Sequence, residues 1–272
     1  VIATGVLFNK CFINCVFDRE YLMKTLFMND KQDWDNIYSF KAENEVSWFQ
    51  PYPKTSMGFV ELFNLPLNAN MIDIGGGGSH FVDALLDKGY RNIYVLDISG
   101  KAIEKVKKRL GNIVYKVHWI VSDVTEYEPT VQFNFWHDRA AFHFLSTEEK
   151  IYKYVSIAED AIKKDGCLIL GTFLENGPKK CSGLEIKQYS ETSMSSRFEA
   201  AFDKIKCVEE DHITPTSIIQ NFLFFSLQKN KYLRFNVQFS TRGFSCSCQK
   251  AKLYQGSRRI VYYPTCGNQT HP

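Results

Sequence analysis

The stretch "NANMIDIGGGGSHFVDALLDKGYRNIYVLDIS", residues 68–99, constrains the fold more than any other part of the chain. The run "NMIDI" has strand length and is followed at once by four consecutive glycines, Gly75 to Gly78. Ser79 is then placed to cap a helix whose apolar positions are Phe81, Val82, Leu85 and Leu86, with Gly89 as its stop. "NIYVLDI" reads as a second strand. A strand, a bare glycine loop, a helix and another strand in close succession imply two parallel strands joined by a crossover helix.

The alternation continues. Ser99 can cap a helix with Ile103, Val106 and Leu110 on one face, and "IVYKVHWIV" and "VQFNFWH" read as the third and fourth strands. "STEEKIYKYVSIAEDAIKKDG" reads as a long helix, with Ser146 and Glu149 at capping-box spacing and Lys163 and Lys164 at its negative end. "GCLILGTF" is a fifth strand; later strands fall near residues 204–209 and 222–227, parted by a turn at Thr214-Pro215. This pattern predicts an α/β fold, a doubly wound and mostly parallel sheet with helices on both faces. Ligands of such sheets bind at the carboxyl ends of the strands.

The glycines discriminate between ligands. The nicotinamide fingerprint needs a third glycine or alanine three residues after its second, but that position is His80 or Phe81 in the two possible registers. A P-loop needs Lys-Ser or Lys-Thr after the glycines, and neither is present. What stands there is Asp73-Ile74-Gly75-Gly76-Gly77-Gly78, an acid at a strand end and then backbone that a ligand can approach closely. Asp97 closes the second strand, where an acid takes ribose hydroxyls. Asp123 follows the third strand, where a carboxylate can accept from an adenine amine. An amine, a ribose and an adenine with no phosphate site describe S-adenosylmethionine.

In this order and at these strand ends, Asp73-x-Gly75-x-Gly77, Asp97 and Asp123 resemble the class I S-adenosylmethionine-dependent methyltransferases over about residues 31–229. The resemblance implies a Rossmann-like seven-stranded sheet with its last strand antiparallel. It also implies a cofactor site at Asp73, Gly75, Gly76, Gly77, Asp97 with its neighbour Ile98, and Asp123 with Val124. A third glycine common in that loop is Ser79 here. The chain is also similar to a subgroup of unassigned acceptor that carries "EVSWFQP", "WHDRAxFHFL" and "GPKKCSGL"; here these are residues 45–51, 136–145 and 177–184. The front of the chain, "WDNIY" plus "WF", resembles several protein-lysine methyltransferases in which such aromatics close over the cofactor. Trp34 and Tyr38 are accordingly expected at the cofactor and Trp48 at the acceptor, on a helix that also packs against the core.

His137 and Asp138, placed just past the fourth strand, are the candidate catalytic residues; contact with the cofactor or the pocket, and a structural Asp138–Arg139 ion pair, are the competing readings. His143, between two phenylalanines, is grouped with the acceptor residues but reads as a packed, satisfied core histidine rather than a catalyst; Cys181 in "KKCSG" and His212 in "EEDHITP" are expected as lid or acceptor-wall residues. Methyl transfer needs no thiol nucleophile. Cys246, Cys248 and Cys266 lack C-x-x-C spacing and a placed fourth ligand, so no metal site is expected. The interspersed charge, net +3, gives no basic stripe for nucleic acid, and no apolar run approaches the ~18 residues of a membrane span. No targeting signal is evident, which leaves the cytoplasm as the default location. Residues 31–229 are read as the functional domain, with 1–30 and 230–272 as extensions, the latter without helical periodicity.

Two acceptor classes remain open. A small-metabolite enzyme should enclose its acceptor in a closed pocket with one or two fixed charges. A protein-lysine enzyme should present an open acidic channel. A scaffold that binds the cofactor without catalysis is a third reading, disfavoured by the intact acids and by "WHDR".

Overall fold

In the computed structural model, the described residues are 30–230. The expected extensions therefore lie outside the described residues, apart from Asp30 and Asn230. Helix α1 (Asp30–Phe40) and helix α2 (Lys54–Phe63) precede strand β1 (Asn70–Ile74). Then come α3 (Phe81–Asp87), β2 (Asn92–Asp97), α4 (Gly100–Leu110), β3 (Val117–Val121) and β4 (Phe133–Arg139). Helix α5 (Glu148–Ala161) leads into β5 (Ile162–Phe173), a small hairpin of β6 (Lys180–Cys181) and β7 (Leu184–Glu185), and α6 (Glu191–Phe198). The described residues end on the long hairpin of β8 (Phe202–Ile213) and β9 (Ile219–Lys229).

Seven strands form one sheet in the order β3-β2-β1-β4-β5-β9-β8. Strands β1 to β5 pair in parallel, and β9 runs antiparallel to both β5 and β8. The last strand is thus the reversed one, as expected. Successive side chains of a strand point to opposite faces, and both faces are covered. Phe135, Ile169 and Phe224 pack with α2 and α3 residues such as Met57, Phe59, Phe81 and Leu85. Trp136, Leu168, Leu170 and Phe225 pack with Ile151, Tyr154 and Ala158 of α5 and with α6.

Several boundaries differ from the sequence reading. Thr147, not Ser146, caps α5, its side chain accepting from Lys150 N. Lys163 and Lys164 begin β5 rather than ending the helix: Ile162 pairs with Phe133, and Lys163 Nζ donates to Asn134 Oδ1 at 3.0 Å. Residues 111–116 form 3₁₀ turns, so β3 starts only at Val117. The turn at residues 214–218 is where it was expected, but the hairpin strands around it are about twice the expected length. "WHDR" lies within β4, not past it. No helix among the described residues is long and apolar enough to cross a membrane, and none of their His, Cys, Asp and Glu clusters could hold a metal ion; Cys246, Cys248 and Cys266 lie outside them.

Candidate active site

The carboxyl ends of β1 and β2 build a cradle from backbone. Gly75 has φ +67°, a left-handed conformation that favours glycine, and its N–H donates to Leu96 O at 2.8 Å. The chain then makes a 3₁₀ turn over Gly76–Gly78. Asp97 fixes that turn: Oδ2 accepts from Gly77 N at 2.9 Å and Oδ1 from Ser99 N at 2.8 Å. Ser99 caps α4, its Oγ accepting from Ala102 N at 3.1 Å. A Cβ on Gly77 would stand 2.5 Å from Ala102 Cβ and 2.7 Å from Asp97 Oδ2; one on Gly76 would collide with the Asp73 carboxylate. Gly77→Ala is therefore expected to cost about 1–3 kcal/mol through forced displacement of α4 or Asp97, read as a lower urea midpoint. A change below ~0.5 kcal/mol would mean that the turn is not locked in this way.

Asp73 is buried at the end of β1. Its Oδ1 meets His137 Nδ1 at 2.7 Å, and His137 Nε2 meets Ser56 Oγ at 2.8 Å. The ring of Phe81 lies on the imidazole, with centroids 4.1 Å apart. Both ring nitrogens of His137 are thus committed, and their task is to orient Asp73. Asp73 Oδ2 is buried with no partner in the protein. A carboxylate oxygen left open beside side-chain-free backbone is what a cationic amine of S-adenosylmethionine needs, so the residues present fit that cofactor.

Burial pushes the Asp97 carboxyl up to about 6, opposed by the backbone donors of Ser99 and Gly77. Ile98 follows it, half-buried. Asp123, also half-buried, caps the short turn Val124–Glu126, with Oδ1 accepting from Thr125 N and Thr125 Oγ1, each at 2.8 Å.

Helix α1 lies across the cradle. Tyr38 is buried, and a Cβ on Gly78 would stand 2.8 Å from its Oη. Burial, then the charge of Asp97, raises the Tyr38 phenol well above its ordinary range. Trp34, Tyr38 and Trp48 pack ring on ring at 5.8–6.2 Å, and Trp34 meets Phe144 at 4.9 Å. The helix is pinned by Asp35, whose Oδ1 accepts from Ser99 Oγ at 2.6 Å. Arg109 of α4 adds a second tie, grasping both Asp83 and Glu43. The sequence reading passed over Asp35, Ser56 and Arg109, because no local pattern marks contacts made across so much chain.

His137 and Asp138 are adjacent in β4 and so point to opposite faces of the sheet. They do not form one constellation. Asp138 is fully buried on the α5 side, where Oδ1 accepts from Ala141 N and Phe142 N, each at 3.0 Å, and Oδ2 from Tyr154 Oη at 2.8 Å. Tyr154 Oη in turn accepts from Trp136 Nε1 at 3.0 Å. The competing reading, an Asp138–Arg139 ion pair, fails for the same reason of alternation. Arg139 shares His137's face and donates from Nη1 to Trp48 O at 2.9 Å.

That face gathers the remaining expected residues. His143 is fully buried between Phe144 and Phe173, with centroids 4.6 and 4.7 Å away, yet neither ring nitrogen has a partner. Burial and then the Arg139 charge push it down to about 3, so it is neutral. His212 Nε2 donates to Ser47 O at 2.7 Å. Cys181 is buried, which pushes its thiol up to about 11 and suits a wall rather than a nucleophile.

Comparison with known proteins accords with this geometry. Residues 71–166 match the family model described as a methyltransferase domain. Malonyl-[acyl-carrier protein] O-methyltransferase 2 of Ilyobacter polytropus is 27% identical over 105 residues, 38% of this chain and 39% of that protein. Human EEF1A lysine methyltransferase 2 is 25% identical over 165 residues, 53% of this chain and 67% of that protein. The chain thus spans well under half of the bacterial relative and about two thirds of the human one. Among solved structures, the N-methyltransferase NodS from Bradyrhizobium japonicum with bound S-adenosylhomocysteine superposes with a TM-score of 0.56 at 16% identity, over 74% of this chain and 98% of that one. An S-adenosylmethionine-dependent methyltransferase from Anabaena variabilis gives 0.59 at 12% identity, over 74% and 93%. The sheet order is that of the Rossmann-like methyltransferase fold, and residues 71–166, which hold the glycine cradle and the acids at three strand ends, are similar to a methyltransferase domain.

Proposed function

We propose that this protein transfers the methyl group of S-adenosylmethionine to a small-molecule acceptor. The observation that carries the choice of acceptor is the enclosure around Arg139. Its guanidinium is held under the segment 47–50, which is fastened by Ser47 O to His212, by Trp48 O to Arg139 and by Gln50 Nε2 to Glu210 Oε1 at 3.1 Å. A covered site with a fixed charge suits a metabolite, whereas a protein lysine would need an open acidic channel.

When bound, the cofactor supplies an electrophilic methyl on a sulfonium. The protein's part is to bind, orient and exclude water. Asp73 Oδ2 would receive the amine, held in place by His137 and Ser56. Asp97 would receive the ribose hydroxyls, and Asp123 with Val124 would receive the adenine. Gly75, Gly76 and Gly77 leave the backbone open to contact, and Tyr38 with Trp34 covers it. His137 has no free nitrogen for the acceptor and acts as a positioning residue; Asp138 holds the β4 end in shape from the opposite face. Cys181, His212, His143 and Trp48 line or roof the acceptor side.

Methyl-labelled S-adenosylmethionine incubated with the protein and an extract of its source, then separated by size, tests this reading. Label in the small-molecule fraction is expected. Label confined to macromolecules would replace it with the protein-lysine reading, and cofactor binding without transfer would favour a scaffold.

The raised Asp97 carboxyl gives a further expectation. Hydroxyl recognition needs the carboxylate, so binding favours the deprotonated form. Cofactor affinity should rise with pH up to about 6 and level off above it, weakening roughly tenfold per unit below. Calorimetry between pH 5 and 8 reads this directly, and a flat profile would remove Asp97 from the site.

A further inference from the structure

Arg139 sits at the end of β4, opposite Gly171 of β5. Gly171 makes room for it: a Cβ there would lie 2.9 Å from Phe224 Cε1 and 3.3 Å from Arg139 Cγ. The guanidinium carbon lies 4.8 Å from the Phe222 ring centre. Nη1 is committed to Trp48 O, while Nε and Nη2 are buried and have no partner in the protein. Those two nitrogens share one edge of the guanidinium and project parallel N–H groups, the fork that matches a carboxylate. The chain uses the same edge elsewhere. In Arg109, Nε donates to Asp83 Oδ1 at 3.1 Å and Nη2 to Asp83 Oδ2 at 2.6 Å.

More unsatisfied polar atoms lie on the elements around Arg139. Both His143 nitrogens, Gln220 Oε1 and Glu210 Oε2 are buried and unpartnered. The β8–β9 register sets Gln220 opposite His212 and Phe222 opposite Glu210, so these four side chains share a face. Phe173 pairs with Phe222 and brings β5 onto that face. Burying a guanidinium fork, an imidazole and two acceptor oxygens without partners costs stability that nothing in the protein returns. A ligand with complementary groups would return it.

We infer that Arg139 is the recognition residue for the acceptor, holding a carboxylate of a small molecule across its Nε–Nη2 edge, with His143, Glu210 and Gln220 facing the rest of that molecule. This inference rests on the small-molecule reading above. The ionisable groups acting on Arg139 are Glu210, Asp73 and the Cys181 thiol. A single positive charge among acids suits a monoanion and disfavours a dianionic phosphate. A carboxylate gripped by the fork gives one lone pair of each oxygen to the guanidinium and shares its charge with it, which lowers its nucleophilicity, so it serves as a handle rather than the nucleophile. The methyl is accepted by the lone pair of another atom of the same molecule. The carbon–sulfur pair returns to the donor sulfur, and the acceptor atom's proton, where it carries one, passes to water. The product therefore keeps its carboxylate.

The test uses the wild-type protein, labelled S-adenosylmethionine and the small-molecule fraction of the source extract. The labelled product should still carry a free carboxylate, read as its amidation by carbodiimide and methylamine, and should survive mild alkali. Labelling should disappear when the carboxylates of the extract are first amidated with carbodiimide and methylamine. Arg139→Gln should lower incorporation by roughly 100-fold while S-adenosylhomocysteine binding stays within about threefold of wild type, and Arg139→Lys, which keeps the charge but not the fork, should not restore it. A product with no free carboxylate, an alkali-labile methyl ester, activity that survives amidation, or an extract whose acceptor is destroyed by phosphatase would each overturn the assignment while leaving the small-molecule reading intact. Loss of S-adenosylhomocysteine binding in a folded Arg139→Gln protein would also overturn it. Label in macromolecules alone would overturn the small-molecule reading and this inference with it.

Discussion

Replacing Asp138 with alanine is expected to remove on the order of 4 kcal/mol of folding stability. Three donors converge on this carboxylate: the N–H groups of Ala141 and Phe142 and the Tyr154 hydroxyl. The Phe142 and Tyr154 donors are buried and the Ala141 donor partly so, and each buried donor left unpaired costs about 1–3 kcal/mol. The loss also spreads, because the hydroxyl of Tyr154 holds Trp136 Nε1. Domains of this kind have about 5–15 kcal/mol in total, so the variant should be partly unfolded or strongly shifted in urea midpoint. Asp138→Asn keeps an acceptor for the two backbone donors and should lose much less. The pH dependence carries the same signature. Burial pushes this carboxyl up to about 6, above the ~3.9 of an unfolded aspartate. The folded state therefore holds the proton more tightly, and this group's contribution to stability falls as pH rises from about 4 to about 6, then stays constant. Asp138→Asn should remove that part of the slope. A loss below ~1 kcal/mol in the alanine variant would show that the network is not as drawn.

Replacing Asp73 with asparagine is expected to weaken cofactor binding by roughly 100-fold or more while sparing the fold. The asparagine side chain has the same shape, so the His137–Ser56 chain keeps a partner. What is lost is the negative charge on Oδ2, the buried oxygen without a partner in the protein. A charge-assisted hydrogen bond to an ammonium is worth more than a neutral one, and more still in a buried site. Calorimetry with S-adenosylhomocysteine reads the affinity, and a urea melt checks the fold. Unchanged affinity in a folded variant would mean that the amine is held elsewhere.

The fold was legible because β1, β2 and their helices carry local signals: apolar runs of strand length, Ser99 as a true cap, and glycines where the backbone must turn left-handed. The acids at the strand ends were legible for the same reason, since their places follow from the strand boundaries. The acceptor side was not. His137, Asp138 and Arg139 are consecutive, and only knowing that β4 continues through Arg139 reveals that Asp138 faces away from its neighbours. With "WHDR" taken as lying just past the strand, His137 and Asp138 read as a pair, whereas the strand continues through Arg139 and separates them. His143 was expected to be packed and satisfied; it is packed, but both nitrogens lack partners, because Phe144 and Phe173 flank the ring and the contact with β5 is one that no window of sequence contains. Gln220 and Glu210 are ordinary polar residues of a hairpin until the register brings them to one face.

The measurement that tests the central claim most directly is a calorimetric titration of the wild-type protein with S-adenosylhomocysteine at pH 7.5, with NAD and ATP as controls. One-to-one binding in the micromolar range, absent for both controls, is the result the cradle of Asp73, Gly75 to Gly77 and Asp97 predicts. No binding up to millimolar S-adenosylhomocysteine, or equal binding of a phosphate-bearing control, would contradict it.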